Sequence, residues 1–393
     1  MLPASGHGQC RDAHKPARPS DRLGPARPLT SHSDSVDRVQ ASDVPFLDAA
    51  RGITPTHTPV WFMRQAGRSL PEYRAVRGEG SILEAIKRPD DSAEITLQPV
   101  RRYGVDAAVL YSDIVVPPHA VGFGVDVAPG TGPVAEQPLR SEADLDRLRP
   151  LEVDDVHYVI DTVDLLVAEL PRSVPLLAFA GAPFTVGSYL IEGRPSRDYR
   201  HTKAMMHTEP ELFHRVMDRL ATSAVTFIDA QLNAGARAFQ LFDSWAGSLS
   251  KVDYDHFVAP HSLRVFTELR ERHPDVASIH FGIGCDHLLK SMHAAMNTGT
   301  DGSAPIVLGL DWRTPISSAR ARLGDDLRVQ GNLDPALVLA GREAAVAGAE
   351  RVLADNAGHA GHIFNLGHGV HQHSDPDVLH EVVRLVHDRT ARA

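Results

Sequence analysis

Residues 208–244, TEPELFHRVMDRLATSAVTFIDAQLNAGARAFQLFDS, hold the repeating unit from which the fold is read. Phe213, Met217, Leu220, Ala224, Phe227 and Ile228 follow a 3.6-residue period, which predicts a helix with one apolar face. Thr208 with Glu211 predicts a capping box at the start of a helix over 208–233. Gly235 stands where such a helix would stop, because a residue without Cβ takes the left-handed turn at no steric cost. A short apolar run follows at 237–242, of strand length, and ends on the polar pair Asp243-Ser244.

Outward from this unit the same alternation recurs. Short apolar runs stand at 59–63, 106–111, 174–180, 237–242, 276–281, 306–310, 327–329 and 362–365, most of them separated by helical patterns. Asp334-Pro335 and Asp375-Pro376 predict two further helix starts, an N-cap followed by the fixed φ of proline. Eight strands, most followed by a helix, is the count of an α/β fold of the (β/α)8 (TIM) barrel type in a single domain. A doubly wound open sheet has the same local periodicity. The segments just past the strand ends favour the barrel: Arg64-Gln65, Ser112-Asp113, Gly181-Ala182-Pro183, Asp243-Ser244, Gly282, Asp311-Trp312, Gly331-Asn332 and Gly367-His368 are polar or glycine-rich. Only a barrel brings all eight to one rim.

Residues 1–43 differ. They are rich in Pro, Arg, Ser, His and Asp and contain no run able to bury an apolar face, so a disordered extension is expected, with the barrel domain spanning 44–393. A transit peptide would share the arginines, but Asp12, Asp21, Asp34, Asp37 and Asp43 oppose that reading.

The 393 residues carry a net charge of −10, which argues against general binding to nucleic acid or a membrane surface. An anionic ligand must therefore be held by a local basic cluster. The two cysteines, Cys10 and Cys285, are too few for a disulfide framework and fit a reducing, cytoplasmic setting. No apolar run approaches the ~20 residues of a membrane span.

The densest chemistry lies in Met63-Arg64-Gln65-Ala66-Gly67-Arg68, continuing to Arg74 and Arg77. Guanidinium forks pair both oxygens of a carboxylate or phosphate and do not lose their charge. Chemistry alone leaves two readings open, an anion clamp or a solvated arginine-rich loop. Asp113 ends an apolar run, where it could stabilise a developing cation or cap a helix. Tyr189 could donate to a ligand or satisfy a core neighbour, and Ser244 and His368 lie in polar turns. His280, Cys285 and His287 cluster after one run and His371 with His373 in another loop, but no CxxC or HExxH spacing is present. Neither GxxxxGK[ST] nor a strand-to-helix GxGxxG occurs, so no nucleotide cofactor and no metal is expected.

Together, PVWFMRQAGR, LPEYR, YSDI, FAGAPFTVGSYLIEG, QLFDSWAG, GLDWRTP, QGNLDP and FNLGHG resemble the uroporphyrinogen decarboxylase family across about residues 44–390. The resemblance implies a (β/α)8 barrel, usually a homodimer, that converts uroporphyrinogen to coproporphyrinogen in haem biosynthesis without a cofactor. By motif it implies that Arg64, Gln65, Ala66, Gly67 and Arg68 form the first substrate loop. Arg77 matches a further cleft arginine. Asp113 matches the aspartate that faces the pyrrole N–H groups and stabilises the transition state. Tyr189, Ser244 and His368 match the remaining contacts, with Phe242 as an apolar neighbour. The implied catalytic residues are Asp113, Arg64 and Tyr189. Departures stand at Ser69, where the family usually has Tyr, at 370–374, which lacks a proline often found there, and at 281–285.

Two rivals follow from the same reading. Zinc-dependent corrinoid or thiol methyltransferases share the barrel and would need His280 and Cys285 as ligands, but lack the MRQAGR cluster. A non-catalytic tetrapyrrole-binding protein would not need Asp113 and Tyr189.

Overall fold

Parallel strands need long crossovers, and each crossover here is helical. The computed structural model describes residues 42–67, 69–128, 130–302 and 304–392. Its strands are β1 (Ala108–Val109), β2 (Val125–Ala128), β3 (Gly132–Ala135), β4 (Leu176–Gly181), β5 (Ala238–Asp243), β6 (Ala277–Gly282), β7 (Ile306–Gly309), β8 (Val329–Gln330) and β9 (His362–Ile363). Seven of them form one parallel sheet in the order β1-β4-β5-β6-β7-β8-β9. The first apolar run closes it. Val60 bridges Phe364 in parallel, with Phe364 N–H donating to Pro59 O at 2.8 Å. On the other side Asp106 N–H donates to Val60 O at 2.8 Å. One segment thus bonds both edges of the sheet, which an open sheet would leave unpaired, and the eight expected runs take eight consecutive positions around a barrel.

The hairpin of β2 and β3, with Val125 opposite Ala135, was not foreseen; it interrupts the crossover between β1 and β4.

The helix of the opening unit runs from Pro210 to Asn233 and buries Leu212, Phe213, Val216, Met217, Leu220, Ala224, Phe227 and Ile228. Full burial of such side chains contributes ~1.5–3 kcal/mol each. The expected capping box is absent. Thr208 ends the preceding helix, Arg200–Thr208, and its hydroxyl donates to Ala204 O at 3.0 Å. Glu209 takes the N-cap position without a side-chain cap bond, and Pro210 opens the helix. A proline at the first position needs no N–H partner, so the helix starts there without a side-chain cap. The two Asp-Pro starts hold: Asp334 accepts from Ala336 N at 2.9 Å and Asp375 from Asp377 N at 2.9 Å. Helix Pro183–Glu192 packs on the long helix at Gly187, where a Cβ would stand 2.4 Å from Met217 Cε. A side chain there would push the Met217 methyl aside.

Inside the barrel a buried polar chain crosses the core. Trp61 Nε1 donates to Gln330 Oε1 (2.9 Å), Gln330 Nε2 to Gln240 Oε1 (2.8 Å), and Gln240 Nε2 to Met63 Sδ (3.5 Å). Left unpaired, each such group would cost ~1–3 kcal/mol. Ser42, within the expected tail, is tied to the domain: its N–H and hydroxyl both donate to the Asp48 carboxylate, at 2.7 and 2.8 Å. Residues 1–41 of that tail lie outside the described residues. Among the described residues no helix is long and apolar enough to cross a membrane.

Candidate active site

The loop after the closing segment is pinned before it presents any charge. Met63 N–H donates to Asn365 Oδ1 at 3.1 Å and Val370 N–H to Met63 O at 2.8 Å, so the first loop and the last barrel loop are stitched together. Gln65 is fully buried. Its Oε1 accepts from Phe62 N (2.9 Å) and its Nε2 donates to Ala107 O (2.9 Å). The side chain is therefore a strut between the loop and β1, which leaves contacts with a ligand to the neighbouring loop atoms. Ala66 is half-buried, and Gly67 takes φ +150° beside Tyr73.

Arg64 lies exposed on this loop with φ +63°, a left-handed conformation that costs a non-glycine residue of order 1–3 kcal/mol. Its stem lies across Gly369, where a Cβ would sit 2.5 Å from Arg64 Cδ. The glycine after His368 is thus what lets the arginine reach over the rim. Arg68 lies outside the described residues. Arg77 ends helix Pro71–Arg77, donating from Nη2 to Gly80 O at 2.5 Å and from Nη1 to Gly78 O at 3.3 Å. It also lies beside the buried Tyr111 phenol, which meets the Tyr73 hydroxyl at 3.3 Å.

Asp113 follows β1 and is half-buried. Its Oδ1 accepts from Val115 N at 3.0 Å, a turn of the Asx type just ahead of helix Val116–Ala120, which has no side-chain cap bond. Its charge also reaches Tyr189. Burial pushes the Tyr189 phenol up to about 12; the Trp245 indole N–H opposes this, the Asp113 carboxylate adds to it and the Arg64 guanidinium counters it. The phenol is a neutral O–H donor at any physiological pH. Tyr189 packs on Trp245 with ring centroids 5.7 Å apart.

His368 is held neutral. Burial first, then the positive charges of Arg64 and Arg313, push its imidazole down to about 4, with Asp311 opposing. Gly369 N–H donates to its Nδ1 at 2.5 Å, so the remaining proton belongs on Nε2. His368 is thereby an uncharged N–H donor on the rim. Phe242, at the end of β5, is half-buried between Phe179 (5.5 Å) and Phe281 (6.3 Å), and half-buried Ser244 follows it. The structure brings Arg64 within electrostatic reach of both Tyr189 and His368, and Asp113 within reach of Tyr189, with Phe242 and Ser244 at the end of β5. Gln65 and Arg77 are instead bonded into the walls.

Two residues near this group were not singled out from the sequence. Arg313 stacks over Trp312 at 3.8 Å, pairs with Asp311 at 2.7 Å and adds positive charge beside His368. Trp245 faces Tyr189. Both adjoin residues just past strand ends, and position past a strand was the available signal. A cavity of about 520 Å³ lies to one side, lined by Arg140, Glu192, Arg194, Arg197 and His201 among others. Its lining includes none of the expected site residues, so the rim constellation, where charges converge on a shared phenol and imidazole, is the better candidate for chemistry.

The ligand set of the methyltransferase rival does not assemble. His280 is buried beside Asp243 (3.6 Å), Cys285 is buried with its thiol pushed up by that burial, and His287 Nε2 bonds Leu249 O at 2.8 Å. The one group of three possible ligands that converges among the described residues is elsewhere, at His57, Asp106 and His387.

The profile of the family described as "Uroporphyrinogen decarboxylase (URO-D)" matches residues 41–389. The chain is 52% identical to "Uroporphyrinogen decarboxylase" of Salinispora tropica over 89% of this chain and 92% of that protein. It is 51% identical to the protein of the same name from Saccharopolyspora erythraea, over 93% and 100%. The Mycobacterium tuberculosis protein of that name is also 51% identical, over 87% and 97%. Among solved structures, a methyltransferase from Methanosarcina mazei superposes with a TM-score of 0.70 at 16% identity, over 87% of this chain and 97% of that one, a likeness of fold alone. A family profile that spans the whole barrel, together with half-identical relatives of nearly equal length, leaves one assignment: the chain belongs to the uroporphyrinogen decarboxylase family.

Proposed function

We propose that this carboxy-lyase removes the four acetate carboxyls of uroporphyrinogen III in sequence at the barrel rim, with Asp113, Arg64 and Tyr189 as the catalytic residues and no metal or organic cofactor. The observation that carries the reading is the shared field at Tyr189 and His368. Asp113 and Arg64 both act on the one, and Arg64 acts on the other.

The substrate is a polycarboxylate, and the protein is acidic overall, so the rim arginines supply the local positive field. Arg64, Arg68 and Arg77 hold the carboxylate arms, Arg77 through the guanidinium N–H groups that its bonds to Gly78 and Gly80 leave over. Gln65, Ala66 and Gly67 shape the loop that carries them. Phe242 backs a pyrrole ring. Ser244, the neutral Nε2–H of His368 and the Tyr189 hydroxyl donate hydrogen bonds without adding charge.

Protonation of a pyrrole α-carbon makes a cation conjugated to the acetate methylene. The C–C bond to the carboxylate breaks, its electron pair neutralises the ring, and carbon dioxide leaves. A proton added to the exocyclic methylene makes the methyl group, and loss of the α-proton restores the pyrrole. Each cycle consumes one proton. Asp113, facing the pyrrole N–H groups, stabilises the cation in both charged stages. Arg64 keeps its own proton, because a guanidinium does not lose its charge in a protein. We assign the incoming proton to water or to a substrate carboxylic acid.

We further propose that the chain works as a homodimer in the cytoplasm and that residues 1–43 take no part in turnover. Incubating purified protein with uroporphyrinogen III and separating the products tests the central claim. Hepta-, hexa-, penta- and tetracarboxylic products in succession are expected; unchanged substrate would overturn it. Sedimentation at assay concentrations tests the dimer, which a monomer of full activity would refute.

A further inference from the structure

At the pole opposite the rim, three side chains from separate segments converge. His57 precedes the closing segment, Asp106 precedes β1, and His387 lies in the last turn of helix Pro376–Thr390. His57 Nε2 stands 2.7 Å from Asp106 Oδ1, and His387 Nε2 stands 2.8 Å from Asp106 Oδ2. The two imidazole centroids are 4.3 Å apart. One donor atom of each residue lies within 4.8 Å of the other two, and no other such trio of His, Cys, Asp or Glu occurs among the described residues. The decarboxylation uses none of them.

Two imidazole nitrogens and one carboxylate are the donor set of a borderline divalent ion, of which Zn²⁺ is the type. At metal–ligand distances of ~2.0–2.2 Å, tetrahedral neighbours stand about 3.4 Å apart, so the two N···O spacings need to open by less than ~1 Å, and the nitrogens, within 4.8 Å of each other, already stand near that range. The outer partners that orient a metal site are also present. Thr56 Oγ1 lies 3.2 Å from His57 Nδ1, and Val60 N–H donates to Asp106 Oδ2 at 2.7 Å. The side chains are 24%, 11% and 27% exposed for His57, Asp106 and His387, open enough for an ion to enter and for water to complete its shell.

We propose that His57 Nε2, His387 Nε2 and the Asp106 carboxylate bind one divalent transition-metal ion of the zinc type, which clamps the C-terminal helix to the floor of the barrel. The role is structural and does not depend on the decarboxylase assignment. Both Nε2 lone pairs must face the ion, so protons compete with it for the site.

The test uses the full chain stripped with a chelator, then titrated with Zn²⁺ by calorimetry and with Co²⁺ by visible ligand-field absorption. One ion per chain is expected, with affinity reduced at least tenfold in both H57Q and H387Q. H214Q, in a separate histidine pair where His214 Nδ1 meets His261 Nε2 at 2.9 Å, should bind as the wild type does. A hundredfold excess of Zn²⁺ over its dissociation constant should raise the melting temperature of the wild type by about 3–4 °C. Should the variants fold poorly, carbethoxylation of the wild type, mapped by mass spectrometry, reads the same site, because Zn²⁺ should shield His57 and His387. Absence of stoichiometric Co²⁺ or Zn²⁺ binding, binding undiminished in both variants, or unshielded His57 and His387 would each overturn the proposal. The decarboxylation rate is measured alongside and should not change with Zn²⁺, which keeps this result separate from the assignment of the rim.

Discussion

Asp106 and Asp113 flank the same two-residue strand, β1, and meet opposite treatments. Asp106, at the N-terminal end, has both oxygens engaged, by His57, His387 and the Val60 N–H. Asp113, at the C-terminal end, is half-buried, spends one oxygen on the Val115 N–H, and extends its field to the Tyr189 phenol. The strand fixes both by the same rule, since parallel strands present all their C-terminal ends to one rim. What differs is what arrives opposite. The floor receives helix Pro376–Thr390, whose His387 hydrogen-bonds to a carboxylate, while the rim receives short loops that bring arginines and uncharged donors. The contrast we propose is between a structural floor and a reactive rim.

The largest test of this contrast is Asp113→Asn. The amide keeps the shape but loses the charge, and its NH₂ would face the pyrrole donors. If the carboxylate stabilises a cation that exists mainly in the transition state, kcat should fall ~10²–10³-fold while substrate affinity changes little. The melting temperature should hold or rise, because active-site charges are often a stability liability. Near-normal turnover would reduce Asp113 to a cap of the Val115 turn.

Asp106→Ala should give the mirror image. Removing one partner of a largely buried charged group strands the others, at a cost of order 3–5 kcal/mol. Urea denaturation should show that loss, with kcat per folded molecule unchanged. A wild-type midpoint would mean that the floor contributes nothing to stability.

Arg64→Ala removes a charged carboxylate partner, worth roughly 1.5–3 kcal/mol, so a tenfold or greater loss of substrate affinity is expected. Wild-type affinity should itself weaken with added salt. Affinity indifferent to both would leave the arginines as an ion-pair network.

His368 makes a smaller, pH-dependent contribution. Its folded value of about 4 lies below the ordinary 6.5, so the unfolded chain takes up the proton first. Stability is therefore intact above about pH 6.5 and declines as pH falls toward 4, at up to about 1.4 kcal/mol per unit. His368→Asn should flatten that part of the curve; an unchanged slope would show that His368 titrates normally. The smallest effect should come from a chain that begins at Ser42. It keeps the bonds to Asp48 and should match the full chain in melting temperature and rate, whereas a large drop in either would give residues 1–41 a role.

The site was legible to the extent that it depends on position along a strand. Arg64, Asp113, Ser244 and His368 all follow apolar runs, and the barrel alone gathers such positions. The side chain of Gln65 is a buried strut, which no local pattern distinguishes from a ligand contact in a polar loop. Arg313 and Trp245 were passed over because nothing local separates them from their neighbours.

The sequence by itself determined the eight apolar runs, the apolar face of the long helix and both Asp-Pro starts, because these rest on periodicity and backbone preference among near neighbours. The tertiary structure alone decided the rest. Closure by a single bridge at Val60 needs the first and last strands to meet, and Glu209 and Pro210, not Thr208, open the long helix because another helix already occupies Thr208. Arg64 reaches the rim only because Gly369 arrives beneath it, and His387 meets Asp106 across 281 residues of chain. Contacts at such separations follow from how the strands and helices pack, which no local spacing encodes.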